Sequence, residues 1–449
     1  MIMDFNSFIK QAAHVKPDKK QLRMLRETPF YLFVHFSPNT YTNLEWGNGD
    51  EDPAIFNPTE LDCEQWARAA LSVGAKGIIL TTKHHDGFCL WQSKYTEHCM
   101  KNSPYKDGKG DVVRECADAC RKYGLKFGFY LSPWDRNSKY YGTDEYNEYY
   151  RNQLTELLTN YGDVFHVWFD GACGEGLNGK KQVYDFDSYL ALIEKYQPEA
   201  TYFNDGGVIR WCGNESGTAA HAQWAVVPSE LCYHNKNIQT GEGPFAGSLE
   251  GTYNTDTDLG SLNNIIYSKG LVFSPAETDM SIRPGWFYHA DQEPHSLERL
   301  FNTYLGTVGG NTTFNLNVPP MPNGKFDERD IKRLQELGDL IRQSFGRVIS
   351  DDAVIEEKEI SETQAEFTVS LPEKRYVSYI ELAENIAEGQ RVEDFKLSYR
   401  QNNGTMRQFC NSTTIGSRRI IRVMAETDLL TVKITSARDK VDMEWIKLY

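Results

Sequence analysis

Two carboxylates, Asp170 and Glu215, are the residues in this sequence best suited to paired acid–base chemistry. Asp170 ends the apolar run of residues 164–169 (VFHVWF) and is followed by Gly171. Such a continuous run is typical of a strand buried on both faces, so Asp170 is expected at a rigid strand end. Glu215 lies in a longer loop. One carboxylate attacking an anomeric carbon and another protonating the leaving oxygen would form a pair for cleaving a glycosidic bond.

Other polar and aromatic side chains stand near the predicted strand ends. They are His35, Glu45, Trp46, His84, His85 and Tyr130. Neutral imidazoles and indoles can hydrogen-bond hydroxyl groups and pack on the apolar face of a sugar without adding charge. Structural roles are the alternative: Asp170 as a turn cap, Glu215 as a solvated loop charge, and His84 and His85 as hydrogen-bonded core residues.

A metal site is a second possibility, with His35, His84, His85 and Asp170 as ligands. Adjacent residues on an extended strand point to opposite faces, so His84 and His85 could both bind one ion only where the strand has already ended. We therefore predict no metal and no cofactor.

The elements needed to position these residues alternate between strands and helices. Strands are predicted at residues 30–36, 77–82, 126–131, 164–172, 201–204, 271–274 and 313–316, with a less certain one at 223–230. Helices are predicted at 62–73, 111–123, 146–161, 186–196 and 330–342. This alternation favours an α/β fold with a parallel sheet, and polar groups at many strand ends favour a TIM-like (β/α) barrel.

The C-terminal part of the chain has a different pattern. Short alternating segments at 377–382, 395–399, 419–423 and 429–434 are typical of a β-sandwich. We predict a catalytic barrel over residues 1–348 and a jelly-roll, discoidin-like β-sandwich over 349–449.

Composition limits the possible partners. Lys and Arg number 48 against 63 Asp and Glu, and the resulting net charge of -15 disfavours nucleic acid and anionic membranes as partners. The nine cysteines show no zinc or disulfide spacing, and residues 1–20 lack the apolar core of a signal peptide. These features predict a cytoplasmic protein, or a periplasmic or secreted one if an export signal has been removed.

Four motifs resemble those of the family 29 glycoside hydrolases, the α-L-fucosidases. They are Lys83 to Phe88 (KHHDGF), Trp168 to Gly171 (WFDG), Arg210 to Glu215 (RWCGNE) and Ser281 to His289 (SIRPGWFYH). Residues 213–215 (GNE) and 283–287 (RPGWF), with C-terminal residues 384–392 and 414–416, are similar to the subfamily that acts on α-1,3 and α-1,4 fucosyl linkages. Cys212 and Thr278 are mild departures from the pattern.

The resemblance implies roles for individual residues. Asp170 would be the nucleophile and Glu215 the acid/base of a retaining exo-α-L-fucosidase that acts on branched, Lewis-type glycans. The fucose pocket would be formed by His35, Glu45, Trp46, His84, His85, Tyr130, Trp168 and Trp286. Glu277, Asp279 and Arg283 would be possible aglycone contacts, or would form ion pairs among themselves.

Two alternatives to this function remain. A fucose-recognising carbohydrate-binding protein on the same fold would use the same aromatic residues, but it would not require both Asp170 and Glu215. An inverting hydrolase would differ in geometry, because its carboxylates must leave room for a water molecule.

Overall fold

The computed structural model describes residues 5–203, 207–233, 258–266 and 268–449. Eight parallel strands form a sheet in which the first strand lies between the second and the last along the chain. A parallel bridge between Phe203 and Ile209 joins the two edges of the sheet, so the strands enclose a barrel. In chain order the strands are Phe30–Val34, Gly77–Lys83, Lys126–Leu131, His166–Trp168, Thr201–Phe203, Arg210–Trp211, Ala276–Ser281 and Thr312–Asn317.

Most of the longer helices pack apolar side chains against the core of the barrel. Several of them begin at an aspartate whose side chain accepts a hydrogen bond from a backbone N–H of the first turn, for example Asp62, Asp111 and Asp185. Such caps satisfy donors that the helix itself leaves free. The helices are Phe5–Ala13, Lys19–Glu27, Asn39–Thr42, Cys63–Val73, Val112–Lys122, Asp144–Asn160, Phe186–Tyr196, Leu262–Ile265, Leu297–Thr307 and Glu328–Phe345. None in the described ranges is long and apolar enough to cross a membrane.

The α/β barrel prediction is confirmed, but two of its strands were missed. The segment predicted at 271–274 forms Leu271–Phe273, which pairs antiparallel with Val226–Pro228 outside the barrel. The barrel instead contains Ala276–Ser281 and the short Arg210–Trp211. Ala276–Ser281 carries Glu, Thr and Asp in a fully buried strand, and such a polar sequence gives no apolar run to detect. Of the strand predicted at 201–204, residue 204 lies outside the described residues.

The C-terminal residues form antiparallel β structure, as predicted, but they form one hydrogen-bonded sheet of six strands where four segments were predicted, and the jelly-roll, discoidin-like assignment stays a prediction. The strands of the sheet are Val354–Ser361, Gln364–Glu384, Val392–Arg400, Met406–Thr413, Arg419–Ala437 and Met443–Leu448. The two long strands are interrupted by irregular pairing near Ser370 and Val377, and one apolar cluster contains residues from both halves, such as Val369 and Leu382. The last barrel helix ends at Phe345, and the division at 348/349 stays a prediction.

The sheet is fastened to the barrel near the end of helix Leu297–Thr307. Asn311 Oδ1 accepts hydrogen bonds from the Ser417 backbone N–H at 2.7 Å and from its hydroxyl at 2.8 Å. The Ile420 N–H donates to the Gly309 carbonyl at 2.8 Å. Because these are backbone or buried contacts, the two parts have a defined relative position at this point.

Candidate active site

A pocket of about 220 Å³ opens at the carboxyl ends of the barrel strands. This is smaller than the ~300–1,000 Å³ of pockets for drug-sized ligands, so it suits a single small ring. The ten residues that the sequence proposed as catalytic or fucose-binding all line it, and Phe33, Ala172 and Asp279 complete the wall.

Asp170 lines this pocket, just beyond the strand His166–Trp168. Its Oδ2 accepts a hydrogen bond from the Tyr130 hydroxyl at 3.0 Å, and its Oδ1 accepts one from the Ala172 N–H at 2.7 Å. Burial and the Asp170 charge raise the pKa of Tyr130 well above its ordinary value, which keeps the phenol protonated as a donor. Asp170 therefore has a fixed orientation and remains a quarter exposed to the pocket.

Glu215 faces the pocket from the loop after the strand Arg210–Trp211. Its Oε2 accepts a hydrogen bond from the Trp286 indole N–H at 3.2 Å. The side chain is open to solvent on one side and covered by protein on the others. This desolvation raises its pKa, assisted by the negative charges of Asp170 and Glu45 and opposed by the Trp286 hydrogen bond. Glu215 thus keeps its proton to a higher pH than a free glutamate.

The three histidines are buried and neutral. Desolvation lowers the pKa of His35 to about 3 and places that of His84 well below the ordinary value. It also lowers the pKa of His85, although the nearby Asp170 opposes the shift. His35 Nδ1 lies 2.9 Å from Asn317 Oδ1, and His85 Nδ1 lies 2.7 Å from the Ser132 hydroxyl oxygen. In both of these rings one nitrogen is held by the protein, which leaves the other for a sugar hydroxyl.

Glu45 connects its own loop to the Trp286 segment. Its Oε2 accepts from the Trp286 backbone N–H at 2.9 Å, and its Oε1 lies 2.6 Å from His289 Nε2. His289 is in turn 2.6 Å from Asn43 Oδ1 through Nδ1. His289 ends the motif at residues 281–289 but was given no role of its own, and Asn317 was missed because an isolated polar residue carries no spacing signal.

The three residues expected at the aglycone lie in different environments. Asp279 is buried at the pocket wall and accepts from the Trp211 indole at 2.9 Å; burial, with the Glu215 charge, raises its pKa well above the ordinary value. Glu277 is fully buried inside the barrel, and Arg283 is bound by Asp330 at 2.9 Å. Glu277 and Arg283 therefore expose no surface to a glycan and are placed as supporting residues.

A buried ion pair lies behind the histidines. Lys83 Nζ contacts Asp135 Oδ2 at 3.0 Å and Gln153 Oε1 at 2.9 Å, and neither charged side chain is exposed. Asp135 also accepts from the N–H groups of Asn137 and Ser138. Breaking such a pair would leave an uncompensated buried charge, so Lys83 fixes the segment that carries His84 and His85.

Comparison with known proteins agrees with this geometry. The family model described as alpha-L-fucosidase matches residues 31–344. The chain is 37% identical over 449 aligned residues to alpha-L-fucosidase 1 of Arabidopsis thaliana, covering 93% of this chain and 84% of that protein. The chain belongs to the α-L-fucosidase family.

Solved structures of the family share the whole architecture. A putative alpha-L-fucosidase from Bacteroides ovatus matches with a TM-score of 0.91 and 39% identity, covering 100% of this chain and 76% of that one. A Ruminococcus gnavus family 29 fucosidase in complex with fucose matches with a TM-score of 0.83 and 28% identity, covering 97% and 95%. Membership of this family makes the protein a glycoside hydrolase.

The predicted absence of a metal has a direct test. Within the described ranges, no three His, Cys, Asp or Glu side chains are grouped closely enough to hold a metal ion. Because His35 and His85 are positioned by Asn317 and Ser132, prolonged EDTA treatment should leave fucosidase activity unchanged. The measurement is the hydrolysis rate of an aryl fucoside before and after chelation. A loss that added zinc or calcium restores would contradict the assignment of the histidines.

Proposed function

We propose that this family member is a retaining exo-α-L-fucosidase, with Asp170 as nucleophile and Glu215 as acid/base. The observation that carries the proposal is the placement of the two carboxylates. Asp170 is held in the pocket wall by hydrogen bonds from Tyr130 and Ala172, whereas Glu215 lies in a more exposed loop and has a raised pKa. A terminal sugar that enters the pocket would have one carboxylate beneath it and the other near its leaving group.

The depth of the pocket supports removal of a terminal residue. Its inner end is closed by Phe33 and Trp168, both almost fully buried, and the Trp168 indole stacks on Phe203 at 4.1 Å between ring centres. A longer chain could not pass through this packed aromatic layer. The pocket therefore accepts one sugar from the end of a glycan.

The proposed reaction has two displacements. An Asp170 oxygen forms a bond to C1 of fucose while the C1–O bond to the aglycone breaks, and the Glu215 proton passes to the departing oxygen. A water molecule then attacks C1, the ester bond to Asp170 breaks, and Glu215 takes the proton of the water. The neutral imidazoles of His35, His84 and His85 hold the hydroxyl groups throughout.

Electrostatic coupling between the carboxylates assists the change in the role of Glu215. The negative charge of Asp170 is one of the causes that raise the pKa of Glu215. Formation of the glycosyl ester removes that charge, so the pKa of Glu215 falls at the moment when it must become a base. Burial alone would not produce this change between steps.

We propose α-1,3 and α-1,4 fucosyl linkages on branched glycans as the substrate class. The support is the resemblance of the blocks at residues 213–215 and 283–287 to that subfamily. Trp46, 58% exposed at the pocket rim, offers a flat face on which a second sugar of a branched glycan could pack. Its ring contacts His85 and Trp134 edge-on, at 5.8 and 5.6 Å between centres.

Replacing Asp170 by Ala should abolish turnover and leave the fold intact, because no glycosyl ester can form. The measurement is kcat on an aryl fucoside and on a Lewis-type trisaccharide, with circular dichroism as the control for folding. A substantial residual rate in the folded variant would refute the nucleophile assignment.

Replacing Glu215 by Ala should affect the two classes of leaving group differently. A sugar leaving group needs the proton, and its rate of hydrolysis should fall on the order of a hundredfold or more. An activated aryl fucoside needs no proton and should lose much less. The comparison uses kcat/KM for both substrates. Equal losses would indicate a role in binding or folding instead of proton transfer.

A further inference from the structure

A long groove begins beside Glu215 and runs to the C-terminal sheet. One section, about 630 Å³, lies between residues 216–219 and helix Leu297–Thr307, and the next, about 680 Å³, continues to the beginning of strand Arg419–Ala437. The two sections share Ala219, Asn302 and Gly306, so they form one continuous surface, which we call the interdomain groove. A β-carbon at Gly306 would meet no atom within 4 Å, so the groove is open at the point where its two sections join.

The groove and the fucose pocket meet at a single turn. Glu215 lines the pocket, and the next residues, Ser216 and Thr218, line the groove. Asn214 Oδ1 holds the turn by accepting hydrogen bonds from the Ser216 N–H at 3.0 Å and its hydroxyl at 2.6 Å. The group that leaves fucose therefore emerges next to the entrance of the groove.

A buried arginine lies at the far end of the groove. Arg419 is only 9% exposed, and its Nη2 donates to the Ser412 hydroxyl at 3.2 Å. Desolvation lowers its pKa. Among the described residues no carboxylate lies within ion-pair distance of it, although buried charges are normally paired. The guanidinium thus faces the groove without an anion to balance it.

Two exposed arginines extend this positive surface toward Glu215. Arg422 donates to the Asn302 side chain, and Arg299 contacts His295 Nδ1 at 3.3 Å. Neither has an ion-pair partner in the part of the chain that the structure describes. The chain carries 15 more acidic than basic residues, whereas the described lining of the groove has three arginines and one carboxylate, Glu298, so its charge is locally reversed.

We propose that the interdomain groove binds an anionic sugar of the glycan whose fucose occupies the pocket, with Arg419 as the principal contact for its carboxylate or sulfate ester. This proposal rests on the proposed fucosidase function of the pocket. Arginine presents a planar fork of donors that matches both anions. Acidic fucosylated glycans would then be preferred to their neutral counterparts.

The test compares three substrates that differ only in the acidic group on galactose. They are a neutral Lewis-type trisaccharide, the same trisaccharide with a sulfate ester on galactose, and the same trisaccharide with sialic acid on galactose. For the wild-type protein we expect a lower KM with at least one acidic form. In Arg419→Gln the KM of that form should rise about tenfold or more, the typical loss for a hydrogen bond to a charged group, while the neutral trisaccharide keeps its KM.

The control is Arg407→Gln, which removes an exposed arginine of the same sheet whose partner is the Tyr399 hydroxyl at 3.5 Å. It should leave all three KM values unchanged. If Arg419→Gln does not fold, the exposed variant Arg422→Glu decides, and it should raise the KM of the acidic substrate. Identical KM values for acidic and neutral substrates in wild type would overturn the proposal.

The experiment distinguishes an error in the groove proposal from an error in the proposed fucosidase function. A nitrophenyl fucoside reaches only the pocket, so its hydrolysis by wild type and all variants reports the fucosidase chemistry alone. If the wild-type protein hydrolyses the nitrophenyl fucoside but has the same KM for the acidic and the neutral trisaccharides, the proposal for the groove is wrong. Absence of aryl fucosidase activity in wild type would contradict the function instead.

Discussion

The active site depends most on the hydrogen bonds that the buried carboxylate of Glu277 accepts. Inside the barrel it accepts hydrogen bonds from the Tyr31 hydroxyl, from the Trp168 indole at 2.8 Å and from Asn315 at 3.1 Å. Trp168 stacks on Tyr130 at 5.3 Å, and Tyr130 donates to Asp170. A continuous set of contacts therefore runs from the barrel interior to the proposed nucleophile. Removal of Glu277 would leave several buried donors without an acceptor.

Desolvation then gives the polar groups of the pocket their different protonation states. The same burial that keeps His35 and His84 neutral raises the pKa of Glu215 and Asp279. Burial disfavours whichever form is charged, so imidazoles lose a proton and carboxylic acids keep one. Asp279 is almost fully buried, whereas a quarter of the Asp170 side chain is exposed to the pocket.

The sequence predicted the parts of the structure that correspond to an apolar run or to a family motif. The run ending at Asp170 predicted both the strand and the position of the carboxylate, and the motifs placed His84, His85 and Trp286 around it. The strand Ala276–Ser281 was missed because its polar side chains are satisfied inside the barrel by partners distant in the chain, such as Tyr31 and Asn315. The burial of Glu277 and Arg283 could not be predicted from the sequence either, because it depends on residues that are distant in the chain.

The most direct test of the account is the configuration of the first product. If Asp170 attacks the anomeric carbon directly, with no water molecule between them in the first step, two inversions give net retention. Proton NMR during early turnover should therefore show α-L-fucose appearing first, with the β anomer growing only by mutarotation. Initial release of β-L-fucose would contradict the account, because Asp170 would then have to act as a base on water.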